Sequence, residues 1–568
     1  MTTLRTLPLL AQRDLTQPLC WRAGQAITAG QFIAEAQVLA AQLPEGRPIN
    51  LCQDRYHFAL GLAAALLRGQ TSLMPPNALP ETLRQVPAAG GQPYLLVDDE
   101  AQTTSGLPTL QVSRPAVPSV ATDVPPLDVD LQAVCLLTSG STGAPQPHAK
   151  RWGPLVANIG AEATRLAQML ARPGLQGITL VATVPAQHSY GLESTVLLAM
   201  LGGACFDAGR PFYPADIVDA LQRVPVPRAL VTTPFHLKTL LLSGLAMPPV
   251  ALALSATAPL SPQLASQAEQ AFGGQLIEIY GCTEAGQVAS RRTTAGEVWQ
   301  TLGELRIQRH SASPGNDDGE TYSVSGGHVL EPTPLADILD LQDSHHFRLL
   351  GRANDLIHVA GKRSSLAHLN FHLNRIDGVL DGAFWLPDEV AEGIVRPVAL
   401  VVAPTLSTAQ VIAALRAQLE GVFVPRRVIK VDALPREATG KLTVAALRQF
   451  ALQHTTEAAR GDTLFGVAPD HPALAGHFPG HPVLPGVTVL SWVMQALADR
   501  ADLTSLLGDN PGVANAKFLN AAAPGSQLRV SLAALGPGVA FEVHSGPVAV
   551  ARGLLTPGLA LPAQAPAP

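Results

Sequence analysis

Charge and aromatic side chains are scarce in this sequence: 14% of its 568 residues are Asp, Glu, Lys or Arg, and 5% are Phe, Trp or Tyr. Basic residues do not outnumber acidic ones, and a formal net charge of −6 excludes the electrostatic footprint of a nucleic-acid binder. Cysteine is sparse too. Cys20, Cys52, Cys135, Cys205 and Cys282 form no Cys-x-x-Cys pair and no cluster with His, which argues against a disulfide framework or a zinc site and fits a reducing cytoplasm. Long apolar runs are missing: the longest, Ser194–Phe206, contains Gly202-Gly203 and is shorter than the roughly 20 residues a bilayer span needs. No apolar core with a small-residue cleavage site follows Met1–Arg5, so neither a secretory signal nor membrane insertion is expected. No internal repeat is evident, which sets a solenoid aside. What the chain has in quantity is hydrophobic residues, 47%, and 49 each of Gly and Pro, a composition for several cores joined by tight connections.

Hydrophobic patterning is that of an α/β protein. Arg55–Arg68 carries a helical stripe of Phe58, Leu60, Leu62, Ala65 and Leu66 and stops at Gly69. Pro108–Pro126 reads as an extended connection into a strand over Ala133–Leu137. From 131 to about 350, strands at Ile178–Val184, Ala229–Thr232, Val250–Ser255 and Gln275–Tyr280 alternate with helical stretches. Polar clusters follow these strands at Gln187–Gly191, Ser255–Pro259 and Tyr280–Glu284. Ligands of open α/β sheets bind beyond the carboxyl ends of the strands, so these clusters are expected to line one crevice. Composition divides the chain into a large domain over 1–352, a small α+β domain over 353–452, a linker at 453–461, a further α+β domain over 462–556 and a Pro/Ala tail at 557–568 expected to be disordered.

One stretch stands out from this texture. Leu136–Pro145 is an apolar strand emptying into Thr138, Ser139, Gly140, Ser141, Thr142 and Gly143. Glycines let main-chain N–H groups converge on an anion, and small hydroxyls add donors without obstruction. Ala144-Pro145-Gln146 replaces the Lys-Ser/Thr ending of a Walker loop, so a P-loop NTPase is not the natural reading. Two readings stand for the loop alone: a strand-to-helix turn, or a phosphate grip. Its company further along the chain decides for the second.

Thr138–Pro145, Gln187–Leu192, Tyr280–Glu284, Gly351–Asp355 and Pro435–Lys441 occur in the order found in the adenylate-forming superfamily of acyl-CoA synthetases, aryl-acid ligases and amino-acid adenylation domains, which the chain to about 450 resembles. The resemblance implies ATP and Mg²⁺ as cofactors and a mobile small domain. Thr138–Gly143 would hold the phosphates. Tyr280 would stack on adenine, with Ala256 and its neighbours on the other side. Thr283 would contact phosphate, Glu284 would hold Mg²⁺, Asp337 would accept the ribose hydroxyls and Arg352 would add a cation beside them. Lys441 would neutralise charge as the carboxylate attacks the α-phosphate. Catalytic roles would fall to Lys441, Glu284 and His188, the last in a gating position where a packed histidine is the alternative.

The sequence departs from that pattern in three places. Gln146 stands where a lysine is expected, with Lys150 able to supply charge instead; Asn354 replaces an acid at the hinge; and the Thr-Gly-Asp motif is reduced to Leu335-Ala336-Asp337. The acyl pocket is expected from His188, Ser189, Tyr190, Gly191, Thr233, Phe235 and Gly286. Ser189 lies near the position where amino-acid-activating relatives carry an aspartate. Burying an ammonium without that counter-charge is expensive, so an acid lacking an α-amino group, small and aromatic like a hydroxybenzoate, is expected. The acceptor is either coenzyme A or the phosphopantetheine of an acyl carrier protein.

The C-terminal Gly476–Val487, followed by a helical run over Thr488–Ala498, resembles the hot-dog-fold 3-hydroxyacyl-carrier-protein dehydratases. There His477 would take an α-proton, and the partner's helix acid would act on the hydroxyl. That acid's position holds Ser491, which cannot be a comparable acid near neutral pH. The resemblance therefore implies a weak or inactive dehydratase that serves dimerisation, carrier-protein docking or thioester binding, with His477 either catalytic or structural, and a homodimer formed through this domain. The pairing of domains is similar to ligases that prime aryl-polyene or xanthomonadin-type pigments. A medium-chain or aryl acyl-CoA ligase, and a carrier-binding scaffold with a decayed site, are the alternatives.

Overall fold

The computed structural model describes residues 5–11, 14–86, 91–99, 106–114, 119–139, 145–310, 320–352, 356–359, 362–387, 397–425, 427–436, 442–459, 462–468, 471–474, 483–508, 511–546 and 548–557. Helices begin where a small polar residue precedes an apolar stripe. Thr28 and Gln31 form a capping box at the head of Ala29–Gln42. The Asp54 carboxylate accepts the Tyr56 and His57 N–H groups at the head of Arg55–Leu67, within one residue of the expected helix. Arg55 itself is buried and donates to the carbonyls of Ala182 and Val184, fastening this helix to the central sheet.

The chain falls into two compact units, residues 1–381 with 436–442, and residues 382–435 with 443–568. In the first, Pro145–Arg151, Gln132–Ser139, Ser72–Met74, Arg47–Asn50, Pro93–Val97 and Thr109–Gln111 lie side by side as one sheet, parallel apart from the hairpin formed by the first two. A second sheet has a parallel centre of Cys205–Asp207, Thr179–Ala182, Arg228–Thr232, Leu252–Ser255 and Gln275–Cys282. Antiparallel strands Gly286–Arg291, Trp299–Thr301, His346–Arg352 and Asp337–Leu341 extend it. The four expected strands of this region appear with ends moved by one or two residues. Register places Thr232 opposite Ser255 and Ser255 opposite Glu278, so the carboxyl ends share one edge, and Gln275–Cys282 overshoots it by four residues. The polar clusters after these strands are thereby gathered, as expected of an α/β sheet.

The second unit holds a three-stranded sheet of Asp381–Trp385, Val398–Val402 and Val428–Lys430, a helix Thr408–Arg416, and a five-stranded antiparallel sheet. In the latter, Asp462–Gly466, Gln527–Leu535, Gly538–Ser545, Val548–Thr556 and Gly512–Phe518 follow one another across the sheet. Its core joins Val489, Val493 and Leu497 of the helix Gly486–Ala498 to Val530, Phe541 and Val543. Residues 453–459 of the stretch read as a linker are the last turns of the helix Val444–Ala459. Among the described residues, no helix is long and apolar enough to cross a membrane.

Candidate active site

Period-2 alternation along Pro145–Arg151 sets Gln146, His148 and Lys150 on one face. The Lys150 Nζ donates to the main-chain carbonyl of Glu284 at 2.6 Å, and His148 Nε2 lies 3.9 Å from Glu284 Oε1. Burial lowers the Lys150 pKa, against the opposing pull of Glu193, Cys282 and Glu284. The Glu284 side chain is half exposed, and the Thr283 beside it is half buried, both in the turn between Gln275–Cys282 and Gly286–Arg291. Among the described residues no group of three His, Cys, Asp or Glu could hold a metal. A single exposed carboxylate suits Mg²⁺, which keeps its waters and takes substrate phosphate oxygens besides one or two carboxylates. Gly140, Ser141, Thr142 and Gly143 lie outside the described residues, as do Asn354, Lys441 and His477. Thr138 and Ser139 end the strand that leads into that loop, in register with Gln146 and Pro145.

Four residues before Glu284, on the strand that leads into its turn, the Tyr280 hydroxyl donates to Asp337 Oδ2 at 2.7 Å. The Tyr280 ring is 9% exposed and lies against Trp299 and Phe347 at centroid distances of 5.8 and 5.7 Å. Asp337 and Arg352 are register partners on adjacent antiparallel strands, which brings together two residues fifteen apart in sequence. Ala256 is buried at the end of Leu252–Ser255. Thr257 after it takes a left-handed φ of 79°, a conformation uncommon for a β-branched residue and found mostly where surrounding structure enforces it.

His188 caps a helix that starts at Ser189 and runs through a π turn over Leu192–Leu197. That start places the Ser189 hydroxyl 2.7 Å from Glu193 Oε1, and Asn158 Nδ2 donates to Glu193 Oε2 at 3.0 Å. The Tyr190 hydroxyl donates to the Thr232 carbonyl at 3.2 Å. Gly191 admits no side chain, since a Cβ there would overlap the Pro185 carbonyl. Gly286 has φ +80°, and a Cβ on it would stand 3.0 Å from Asn158 Nδ2 and 3.7 Å from Glu193 Oε2, so it closes the same corner. Thr233 caps the helix Pro234–Leu242 and bonds His236 Nδ1 at 3.0 Å; burial pushes the His236 pKa down to about 4 and keeps the ring neutral. The Phe235 ring carries the Arg436 guanidinium at 5.8 Å, and Arg436 is also clamped by both oxygens of Asp381 at 2.7 Å.

Sequence reasoning missed Glu193 and Glu162. The first is the one charged residue of the run Leu192–Leu201, where an acid is itself a signal. It does not supply the absent ammonium receptor at Ser189, because its two oxygens already take Ser189 and Asn158 and it faces Lys150. Glu162 accepts from Ser194 at 2.8 Å, and complete burial pushes its pKa up to about 8.

In the C-terminal domain, Ser491 is exposed on Gly486–Ala498. A cavity of about 510 Å³ beside the start of this helix is lined by Leu484, Gly486, Val489, Phe518, Leu519 and Val550. A Cβ on Gly486 would meet the Phe518 ring at 2.7 Å.

Comparison with known proteins follows the same division. The AMP-binding enzyme family matches residues 56–311, and the ApeI dehydratase family matches residues 453–553. A 4-coumarate–CoA ligase of Rhodobacter capsulatus is 30% identical over 291 residues, 51% of this chain and 68% of that protein. A 4-coumarate–CoA ligase of Halorhodospira halophila is 30% identical over 251 residues, 43% of this chain and 56% of that one. The o-succinylbenzoate–CoA synthetase of Bacillus subtilis, solved with its acyl-adenylate intermediate, superimposes with a TM-score of 0.63 at 19% identity over 78% of this chain and 98% of its own. ATP-bound MatB from Rhodopseudomonas palustris gives a TM-score of 0.63 at 19% identity over 78% and 97%. At such identities the likeness is one of fold.

Proposed function

The chain belongs to the AMP-binding family of adenylate-forming acid–thiol ligases, and from that premise we propose that it activates a small, hydroxybenzoate-like aromatic acid and passes the acyl group to the phosphopantetheine of an acyl carrier protein. The observation that carries this reading is what gathers at one sheet edge: Tyr280, near the overshooting end of Gln275–Cys282, holds Asp337; Glu284, in the turn after it, receives Lys150 from the other sheet; and Ser189 and Tyr190 follow Thr179–Ala182. Asp337 would accept the ribose hydroxyls, with Arg352 beside it. Thr138–Gly143 and Thr283 would hold phosphate, with Lys150 fixing the turn that carries Glu284. Mg²⁺, held by Glu284, would supply charge neutralisation at the phosphate oxygens. Lys441 would stabilise the charge that develops as the carboxylate oxygen bonds to the α-phosphorus and pyrophosphate departs.

ATP–pyrophosphate exchange across benzoates, cinnamates and fatty acids tests the first half. Exchange is expected with small aromatic acids, and exchange with fatty acids alone would replace the reading by a medium-chain ligase. No exchange with any acid would leave a carrier-binding scaffold. Mass spectrometry of a holo-carrier protein offered in competition with coenzyme A tests the second half. Preferential loading of coenzyme A would favour the activity named for the curated relatives.

The C-terminal domain is proposed to hold a carrier-bound thioester and to form a homodimer, in polyene-pigment or polyketide-type synthesis, rather than to dehydrate. Support comes from the apolar cavity at the start of its helix and from Ser491 at the acid's position. Incubation with 3-hydroxyacyl thioesters is expected to yield no enoyl product; efficient dehydration abolished by His477→Ala would overturn this.

A further inference from the structure

Residues 436–442 belong to the first unit, although 382–435 before them and 443–568 after them belong to the second. The chain enters this short return at Arg436, and Arg436 is held twice. Its Nε donates to Asp381 Oδ2 and its Nη2 to Asp381 Oδ1, both at 2.7 Å, the fork in which a guanidinium matches a carboxylate. The same guanidinium lies 5.8 Å from the centroid of the Phe235 ring. The Asp381 and Arg436 side chains are 11% and 18% exposed, so salt screens the pair little. Its partners are fixed in the first unit. Phe235 stands in the first turn of Pro234–Leu242, which Thr233 caps directly after the strand Arg228–Thr232. Lys238, one turn on, turns its charge toward Asp381 and donates to the Asn374 carbonyl at 3.4 Å. From Arg436 the chain reaches Lys441 in five steps, at most about 18 Å fully extended. Fixing Arg436 therefore narrows the volume that the Lys441 ammonium can sample.

We infer that Asp381 is a positioning residue for acyl-adenylate formation: through Arg436 it keeps the segment that carries Lys441 on the first unit, and it has no part in passing a finished acyl group to the thiol. The inference rests on the ligase reading above, which gives Lys441 its role. In the first half-reaction the carboxylate oxygen bonds to the α-phosphorus and pyrophosphate leaves, so the Lys441 cation has to stand at the phosphate beforehand. In the second, the thiol sulfur bonds to the acyl carbon, AMP leaves and the thiol proton passes to solvent. No pyrophosphate departs in that step, and the grip on Arg436 is not needed for it.

The experiment uses the full chain and the acid panel above. ATP–pyrophosphate exchange reads the first half-reaction. Thioester formation from the chemically prepared acyl-adenylate, offered with coenzyme A and with holo-carrier protein, reads the second. Asp381→Asn and Arg436→Met are expected to lower exchange by about 10- to 100-fold, the loss that follows a misplaced group, and to change transfer by less than about twofold. Arg436→Lys keeps the charge without the fork and is expected to fall between these variants and wild type. Added to Lys441→Ala, Asp381→Asn is expected to cost less than about twofold more, because both act through one ammonium. Trypsin cleavage after Lys441, read by mass spectrometry, reports the hold on the segment without any turnover and is expected to be at least about fivefold faster in Asp381→Asn. Where wild type exchanges, the inference is overturned by undisturbed exchange in Asp381→Asn, by an equal fall of both half-reactions, or by losses that multiply with that of Lys441→Ala, and the ligase reading stands. A wild-type chain that exchanges with no acid overturns the ligase reading. Faster cleavage in Asp381→Asn then keeps Asp381 as the anchor of the segment, and unchanged cleavage overturns that as well.

Discussion

Lys441→Ala is expected to lower ATP–pyrophosphate exchange by about 10²- to 10³-fold while ATP binding persists, because its cation is needed where charge develops rather than where ATP is held. Two unit charges about 4 Å apart interact by about 4 kcal/mol at an effective dielectric of about 20, which corresponds to roughly a thousandfold in rate. Lys441 follows Gly440 in the sequence, with no other lysine or arginine between it and Arg436. Arg436 gives that segment a fixed start, since Asp381 grips its guanidinium with both oxygens and Phe235 lies beneath it. Lys441→Arg preserves the charge on a longer, planar head and is expected to recover only part of the rate. Exchange kinetics read the chemical step, and calorimetry with a non-hydrolysable ATP analogue reads binding. Unaltered exchange in Lys441→Ala would remove this residue from the reaction, and lost ATP binding would make it a nucleotide anchor instead.

Local signals in the sequence reached as far as strands, helix starts and the polar clusters at strand ends, because those depend on neighbours within a few residues. The helix over Arg55–Arg68 and the strand over Gln275–Tyr280 are legible from pattern alone, each within two residues of its observed ends. Contacts made by register were out of reach. Nothing in Leu335-Ala336-Asp337 announces that Asp337 will face Arg352 across a hairpin or receive the Tyr280 hydroxyl. Lys150 is a similar case. Its charge is able to supply the loop by sequence position, and no local pattern announces that the fold lays its Nζ on the Glu284 carbonyl, a contact between residues of two sheets. The polar run His454–Ala459 reads as a linker by composition, yet it is helical, since Ala, Glu and Gln residues around it sustain a helix already begun at Val444. Glu193 is hidden for a different reason: it accepts the Ser189 hydroxyl from one helical turn on, a contact that the Ser189 position by itself does not announce.

Asp337→Ala is expected to lower kcat/KM for ATP by about 10²- to 10⁴-fold, the value of two hydrogen bonds to a charged acceptor at about 1.5 to 3 kcal/mol each. A carboxylate has lone-pair sites for about four donors, so accepting the Tyr280 hydroxyl on Oδ2 is compatible with accepting ribose hydroxyls as well. The Tyr280 bond also fixes the carboxylate, because the Tyr280 ring is wedged against Trp299 and Phe347 and cannot follow a moving partner. Tyr280→Phe keeps the ring and removes only the hydroxyl, and should therefore cost about tenfold, the worth of one orienting hydrogen bond. Nucleotide analogues separate recognition from folding. Wild type should lose activity with 2′-deoxy-ATP and with 3′-deoxy-ATP, whereas Asp337→Ala, having no acceptor to satisfy, should treat ATP and both analogues alike. Tyr280→Phe should still discriminate, with a smaller penalty for each missing hydroxyl. If Asp337→Ala discriminated against the deoxy nucleotides as wild type does, the ribose would be read by other residues, and the Tyr280–Asp337 pair would be a strut between strands with no part in binding ATP.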